Sequence, residues 1–176
     1  MRDSKGFTLI ELLVVVAIVG IIAAIAVPGL LRARMSGDEA SAIGSERAIN
    51  SAQSTYASSC AAGNYAQSLD DLALVPTGST AAFVSPDLAS NGIGKSGYIV
   101  NLGPGAITTP AVPGAATCNG SGASAIPTYY SEAHAATLGM TGQRSFGSDQ
   151  RGTIFANPTG TTFTQITVAS SATPIQ

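Results

Sequence analysis

Residues 7–31 read FTLIELLVVVAIVGIIAAIAVPGLL, and this stretch decides how the rest of the chain is organised. Glu11 is its only charged residue, and Arg32 and Arg34 follow it directly. At 1.5 Å per residue, a helix of this length spans roughly 37 Å, which exceeds the roughly 30 Å hydrocarbon core of a bilayer. The stretch is therefore long enough to cross a membrane.

The composition of the whole chain excludes several classes of function. Only 10% of the 176 residues are charged, and the net charge is -2. A nucleic-acid-binding protein needs a basic face, and this chain has too few Lys and Arg residues to form one. One His and two Cys cannot supply four ligands to a zinc ion, and no P-loop, dinucleotide or zinc-protease motif is present. We therefore predict no enzymatic activity, no cofactor and no nucleic-acid partner; the single histidine, His134, is interpreted as a surface or packing residue.

The helix is predicted to continue well beyond the apolar stretch, from Phe7 to about Ser59. Past Arg32 the apolar side chains recur at helical spacing, at Ile49, Ala52, Tyr56 and Cys60. Two residues weaken the first half. Gly20 costs about 1 kcal/mol relative to Ala. Pro28 has no N–H and clashes with the preceding turn, so a bend is expected there, either harmless or used when helicity is lost on packing.

Residues 5–15, KGFTLIELLVV, carry a family resemblance. A short charged leader, Gly, Phe, T-L-I-E and an unbroken apolar helix resemble the class III signal of type IV pilins and of the pseudopilins of type II secretion. The resemblance implies cleavage between Gly6 and Phe7 by prepilin peptidase and N-methylation of Phe7. An ordinary secretory signal fits less well because this apolar run is too long and lacks a small-x-small cleavage site. A plain signal anchor leaves the leader and Glu11 unexplained.

Glu11 is expected in the second turn of the mature helix. One interpretation is that its carboxylate reaches water and complements the positive end of the helix dipole. The resemblance implies the other, in which Glu11 pairs with the α-ammonium of Phe7 of the same or a neighbouring subunit and sets the axial register. Gly20 and Pro28 are then the points of helix flexibility during filament packing.

After Cys60 the chain is rich in Gly, Ser and Pro, and short β-rich runs follow one another. We predict a loop with a helical turn over 64–72 and strands over 97–102, 128–137, 143–148, 153–156 and 161–168. Residues 149–152 are a candidate hairpin turn, and Tyr98, Tyr129 and Phe155 are candidates for the core of the sheet. The fold class is thus α+β, with a long kinked N-terminal helix packed on a C-terminal antiparallel β-sheet, as in the pilin fold.

Residues 103–127 are uncharged and contain many Gly and Pro residues, so they are predicted to form a long surface loop. In an exported domain Cys60 and Cys118 are expected to form a disulfide that ties this loop to the end of the helix. Asn119-Gly120-Ser121 matches a glycosylation sequon. Four acidic residues could offer oxygen ligands to calcium, as pseudopilins do, but no dense acidic loop is present and no metal site is assigned; they are Asp70, Asp71, Asp87 and Asp149.

Four segments result: a cleaved leader (1–6), a membrane and filament-core helix (7–31), an amphipathic half-helix (32–59) and a globular domain (60–176). The expected function is that of a structural subunit of a type IV pilus, polymerising through its N-terminal helix. A type II secretion pseudopilin or a minor pilin is the alternative, and a membrane-anchored periplasmic binding protein is a distant one. The expected partners are other copies of the chain, prepilin peptidase, and the assembly platform and ATPase. The precursor would lie in the inner membrane with Arg2 and Lys5 in the cytoplasm, and the product in an extracellular pilus or a periplasmic pseudopilus.

Overall fold

The computed structural model describes residues 6–164 and 173–175. The chain divides after Arg34 into an N-terminal unit and a larger unit that begins at Met35. Helix α1 extends over Leu9–Ser59, and a short helix, α2, covers Leu69–Ala73. Two single-turn 3-10 helices follow at Pro86–Leu88 and Gly114–Ala116.

Six short strands form one antiparallel sheet in the described part of the chain, in the order β1-β2-β3-β4-β5-β6. The strands are β1 (Ile93–Lys95), β2 (Tyr98–Pro104), β3 (Tyr129–Ala135), β4 (Ser145–Asp149), β5 (Ile154–Asn157) and β6 (Thr173–Pro174). Each strand pairs with its neighbour in sequence, as successive strands in a meander do. The predicted α+β class, with a long N-terminal helix and an antiparallel sheet, is confirmed.

The four central strands and the turn near Gly152 agree with the sequence prediction. Gly152 N–H donates to Asp149 O at 2.8 Å, and its φ of +73° suits glycine. The prediction over 161–168 is wrong for residues 161–164, which form no strand, and the remainder lies outside the described residues. Strand β1 was not predicted, although Ser96 and Gly97 both have the positive φ of a type I′ hairpin turn and S-G is a turn signal.

The core of the second unit lies between the end of α1 and one face of the sheet. Ile49 and Tyr56 of α1 are fully buried and Ala52 is nearly so, which confirms three members of the predicted helical stripe. The fourth, Cys60, follows the end of α1 and is half-buried. Tyr98 and Tyr129 are buried as expected. Phe155, the third predicted core residue, is only half-buried because its side chain points away from this core. The centre of its ring lies 5.3 Å from the guanidinium carbon of Arg151.

The segment 103–127 departs from the predicted exposed loop. Gly103 and Pro104 belong to β2, and residues 106–111 are exposed. Further along the segment, the buried residues include Thr117, Ser121, Ala125 and Ile126. Val112 pairs with Ala125, and Ile126 exchanges backbone hydrogen bonds of 2.8 and 3.1 Å with Tyr65. Buried backbone groups need partners, and these bridges supply them without forming a full strand.

Asp71 of α2 binds the same segment through backbone hydrogen bonds. Its Oδ1 accepts hydrogen bonds from Gly122 N–H (2.9 Å) and Ala123 N–H (3.3 Å), and Ser68 Oγ donates to its other oxygen at 2.8 Å. A buried carboxylate that accepts several such bonds is well stabilised. The second half of the loop is therefore a fixed part of the domain.

Candidate processing and assembly segment

Every residue from 6 to 34 is exposed, although most of these side chains are apolar. The exposed fraction is 92% for Phe7, 80% for Leu9 and 70% for Leu30. Leaving a large apolar side chain in water costs about 1.5–3 kcal/mol relative to burying it. This surface therefore needs lipid or another protein chain around it. In the described part of the chain, α1 is the one helix long and apolar enough to cross a membrane.

The predicted cleavage point lies just before this helix. Gly6, Phe7 and Thr8 have no regular secondary structure, and α1 begins at Leu9. All three residues are exposed, and a side chain at position 6 would meet no atom within 4 Å. The Gly6–Phe7 bond is thus accessible and outside the helix, as a peptidase requires of its substrate.

Thr8 and Glu11 close the start of α1 as a capping box. Thr8 N–H donates to Glu11 Oε2 at 2.9 Å, and Glu11 N–H donates to Thr8 Oγ1 at 3.3 Å. The Thr8 hydroxyl also donates to Glu11 Oε2 at 2.6 Å. Thr8 was not singled out from the sequence, although T-x-x-E before an apolar run is the signature of this motif.

The predicted pairing of Glu11 with the Phe7 amine concerns the cleaved chain. In the uncleaved chain the Phe7 nitrogen is part of the Gly6–Phe7 peptide bond and carries no charge. Glu11 Oε2 binds Thr8 instead. Cleavage would create an ammonium group one residue before Thr8, so the pairing stays a prediction for the mature subunit.

Gly20 and Pro28 both lie inside α1, which continues through them to Ser59. A Cβ atom on Gly20 would meet nothing within 4 Å, so packing within this chain does not require glycine there. The same holds for Gly29. A role for Gly20 and Pro28 in helix flexibility stays a prediction.

Cys60 and Cys118 form a disulfide, which confirms the predicted pairing. It joins the residue after α1 to the buried half of the 103–127 segment, across a sequence separation of 58. The adjacent Asn119 side chain is engaged: its Nδ2 donates to Asp71 O (2.7 Å) and Leu74 O (3.3 Å). Because Ser121 is also buried, the sequon does not lie on an exposed loop.

The other acidic residues named as possible calcium ligands each have a partner within the domain. Asp70 accepts from Ser90, Asp87 pairs with Lys95, and Asp149 pairs with Arg151. The described residues contain no group of three or more His, Cys, Asp and Glu side chains that could hold a metal. His134 Nδ1 lies 3.0 Å from Glu132 Oε2 on the same strand.

The N-terminal segment identifies the class of chain. Residues 1–27 match the prokaryotic N-terminal methylation motif. The chain therefore carries a prepilin-type N-terminus, followed by a long apolar helix and an α+β domain of pilin-like arrangement. The resemblance to type IV pilins is confirmed over this N-terminal part.

Three curated relatives agree with that class. The chain is 56% identical over 39 residues to the type IV wide pilus major component PilA4 of Thermus thermophilus, which covers 22% of this chain and 30% of the relative. It is 42% identical over 53 residues to the type IV major pilin protein PilA of Myxococcus xanthus, covering 30% and 24% of the two chains. A fimbrial protein of Pseudomonas aeruginosa is 71% identical over 28 residues, 16% of this chain and 18% of that protein.

The matches thus span less than a third of each of these relatives' length. No solved structure matches the chain. The likeness to these relatives thus covers at most 30% of this chain.

Proposed function

We propose that this chain is a structural subunit of a type IV pilus that polymerises through α1. The observation that carries the proposal is the methylation motif at residues 1–27 continuous with an exposed apolar helix. Lipid covers that helix before assembly, and the helices of neighbouring copies cover it afterwards. One head-to-tail interface used repeatedly then generates an open helical polymer.

Processing is the first step of the proposed mechanism. The precursor lies in the inner membrane with residues 1–6 in the cytoplasm, and prepilin peptidase cleaves between Gly6 and Phe7. The exposed, non-helical segment at Gly6–Thr8 supports this assignment because a protease binds an extended substrate. Phe7 becomes the N-methylated terminus of the mature subunit, and 7–31 and 32–59 become the two halves of its helix.

Assembly is the second step. The new ammonium group of Phe7 pairs with Glu11 of the same or a neighbouring copy, which neutralises two charges within an apolar filament core. Such neutralisation matters because an isolated charge among apolar groups is costly. An assembly ATPase and a platform protein lift the subunit from the bilayer. Gly20 and Pro28 let the helix adapt to its neighbours, and residues 60–176 form the filament surface.

A pilus is favoured over a type II secretion pseudopilus or a minor pilin by the names of the relatives, which are a wide pilus component, a major pilin and a fimbrial protein. The disulfide also suits an exposed extracellular filament because it strengthens a small domain. The role proposed for the chain is structural and not catalytic.

Two measurements on the host cell test the proposal. Mass spectrometry of the mature protein should show N-methylated Phe7 as its first residue, and filaments sheared from the cell surface should contain the chain. An intact leader, or a terminus elsewhere, would refute the processing step. A correctly processed chain that never leaves the periplasm would replace the pilus with a pseudopilus.

A further inference from the structure

A carboxyl group is fully buried where α1 packs on the sheet. Glu46 has 0% exposure, and Ser131 Oγ of β3 donates a hydrogen bond to its Oε2. Its other oxygen, Oε1, has no hydrogen-bond partner among the described residues. An ionised carboxylate in such a place lacks the partners that normally compensate for lost hydration.

A second carboxylate, that of Glu132, repels a negative charge on Glu46. Glu132, one residue beyond Ser131, is a second buried carboxylate, and its charge acts on Glu46. Glu132 has partners of its own: Asn101 Nδ2 donates to it at 2.5 Å, and His134 Nδ1 lies within 3.1 Å of both its oxygens. The negative charge of Glu132 disfavours a second negative charge on Glu46.

Other titratable groups of α1, β3 and β4 form contacts of their own. On β3, Tyr129 Oη donates to Asn50 Oδ1 at 3.0 Å, and burial raises the pKa of the Tyr129 hydroxyl. On β4, Asp149 pairs with Arg151. On α1, Glu39 pairs with Arg144, and Arg47 is exposed.

We propose that Glu46 is a proton-controlled clamp between α1 and the sheet. With its proton bound, the neutral carboxyl packs against Ser131 and holds the helix in place. When the proton leaves, the uncompensated negative charge beside Glu132 loosens the packing of residues 35–59 on β3. The clamp acts within the folded domain and does not depend on the proposed role in a pilus.

The direction of the pH effect follows from the raised affinity for the proton. Desolvation by burial is the main cause that raises the pKa of Glu46 from 4.5 to about 8; the charge of Glu132 adds to it, and the Ser131 hydrogen bond opposes it. Between pH 4.5 and about pH 8, Glu46 keeps its proton in the folded chain but has lost it in the unfolded chain. Stability therefore falls as the pH rises from about 4.5 to about 8.

The test measures hydrogen exchange by mass spectrometry on the full chain in detergent micelles, with rates corrected for intrinsic pH dependence. In the wild type, protection of peptides from residues 35–59 should fall by up to about tenfold per pH unit between about pH 5 and pH 8. The isosteric variant Glu46→Gln should remove this slope and be the better protected form at pH 8. Asp70→Asn, which makes the same chemical change at an exposed site of the same unit, should keep the wild-type slope.

Equal slopes in the wild type and in Glu46→Gln would overturn the clamp. If Glu46→Gln does not fold, the test uses the wild-type chain with isotopically labelled glutamate. NMR then measures the titration of each glutamate side-chain carboxyl carbon. A Glu46 signal that titrates well above the other glutamates supports the clamp. A midpoint within the ordinary range near 4.5 overturns it.

Discussion

Glu39 and Glu46 lie two helical turns apart on α1, yet their surroundings shift their pKa values in opposite directions. Desolvation by burial acts to raise the pKa of Glu39, but hydrogen bonds from Gln143 and Arg144 and the charge of Arg144 outweigh it, and the pKa is lowered. Arg144 donates through Nε (2.9 Å) and Nη2 (2.7 Å) to Glu39 Oε2. Hydrogen-bond and charge partners, and not burial alone, decide whether the pKa of each carboxyl group is raised or lowered.

Glu39→Gln should weaken the attachment of α1 to the residues just before β4, Gln143 and Arg144. The loss of this two-pronged ion pair, whose arginine is partly exposed, is expected to lower the free energy of unfolding by about 1–2 kcal/mol at neutral pH. Because the folded-state pKa is lowered, the contribution is present above the ordinary value of 4.5 and is lost as the pH falls below it. Urea unfolding of the full chain in detergent, followed by tyrosine fluorescence, measures the difference.

The control for this prediction is Asp87→Asn, which breaks the more exposed pair with Lys95. It should leave the urea midpoint nearly unchanged, because exposed ion pairs contribute little. Equal midpoints for Glu39→Gln and the wild type at neutral pH would show that the Glu39–Arg144 pair does not support the packing of α1.

At the scale of elements, the disulfide and Asp71 fasten the buried half of the 103–127 segment at two places. Cys118 N–H also donates to Cys60 O at 3.3 Å, so the backbone is joined at the same point. Sequence composition predicted an exposed loop because Gly, Pro and small polar residues carry no hydrophobic pattern. The residues that bury this segment, Asp71 and Tyr65, lie far away in sequence, and no local signal reports such contacts.

The double substitution Cys60→Ser and Cys118→Ser should lower the free energy of unfolding by about 4 kcal/mol in the chain-entropy model, because the open unfolded chain gains freedom. The segment should then rely on Asp71 and its backbone bridges. Thermal unfolding of the variant and of the wild type with and without reductant measures the effect. Wild-type stability that is unchanged by reductant, with both thiols shown by alkylation to be free, would contradict the prediction.

In the molecule as a whole, the two units differ in how much of their apolar surface is buried. Residues 6–34 expose an apolar surface, whereas the unit that begins at Met35 has its own core. Low overall charge is thus the average of a segment that needs lipid or other chains and of a domain rich in Gly, Ser and Thr. Under the proposed function, a single substitution can impair assembly without disturbing the domain.

Glu11→Val is expected to separate these two properties. The variant should be cleaved at Gly6–Phe7, because the peptidase segment is intact, but filament yield should fall strongly because the Phe7 ammonium loses its partner. Thr8→Val provides a comparison, since it removes the hydroxyl that contacts Glu11 but keeps the carboxylate. Immunoblots of sheared filaments and of the membrane fraction measure yield and processing, and wild-type filament yield in Glu11→Val would refute the pairing.

Features that depend on neighbouring residues could be predicted from the sequence alone. The apolar run of 7–31, the stripe through Ile49 and Tyr56 and the four central strands all follow from local periodicity. The two cysteines allow a single pairing within the chain. The burial of Glu46 beside Ser131 and the hydrogen bonds from residues 122–123 to Asp71 depend on the tertiary structure. These features require residues distant in the chain to meet, and the free energy of a buried carboxyl depends on the partners that the fold places around it.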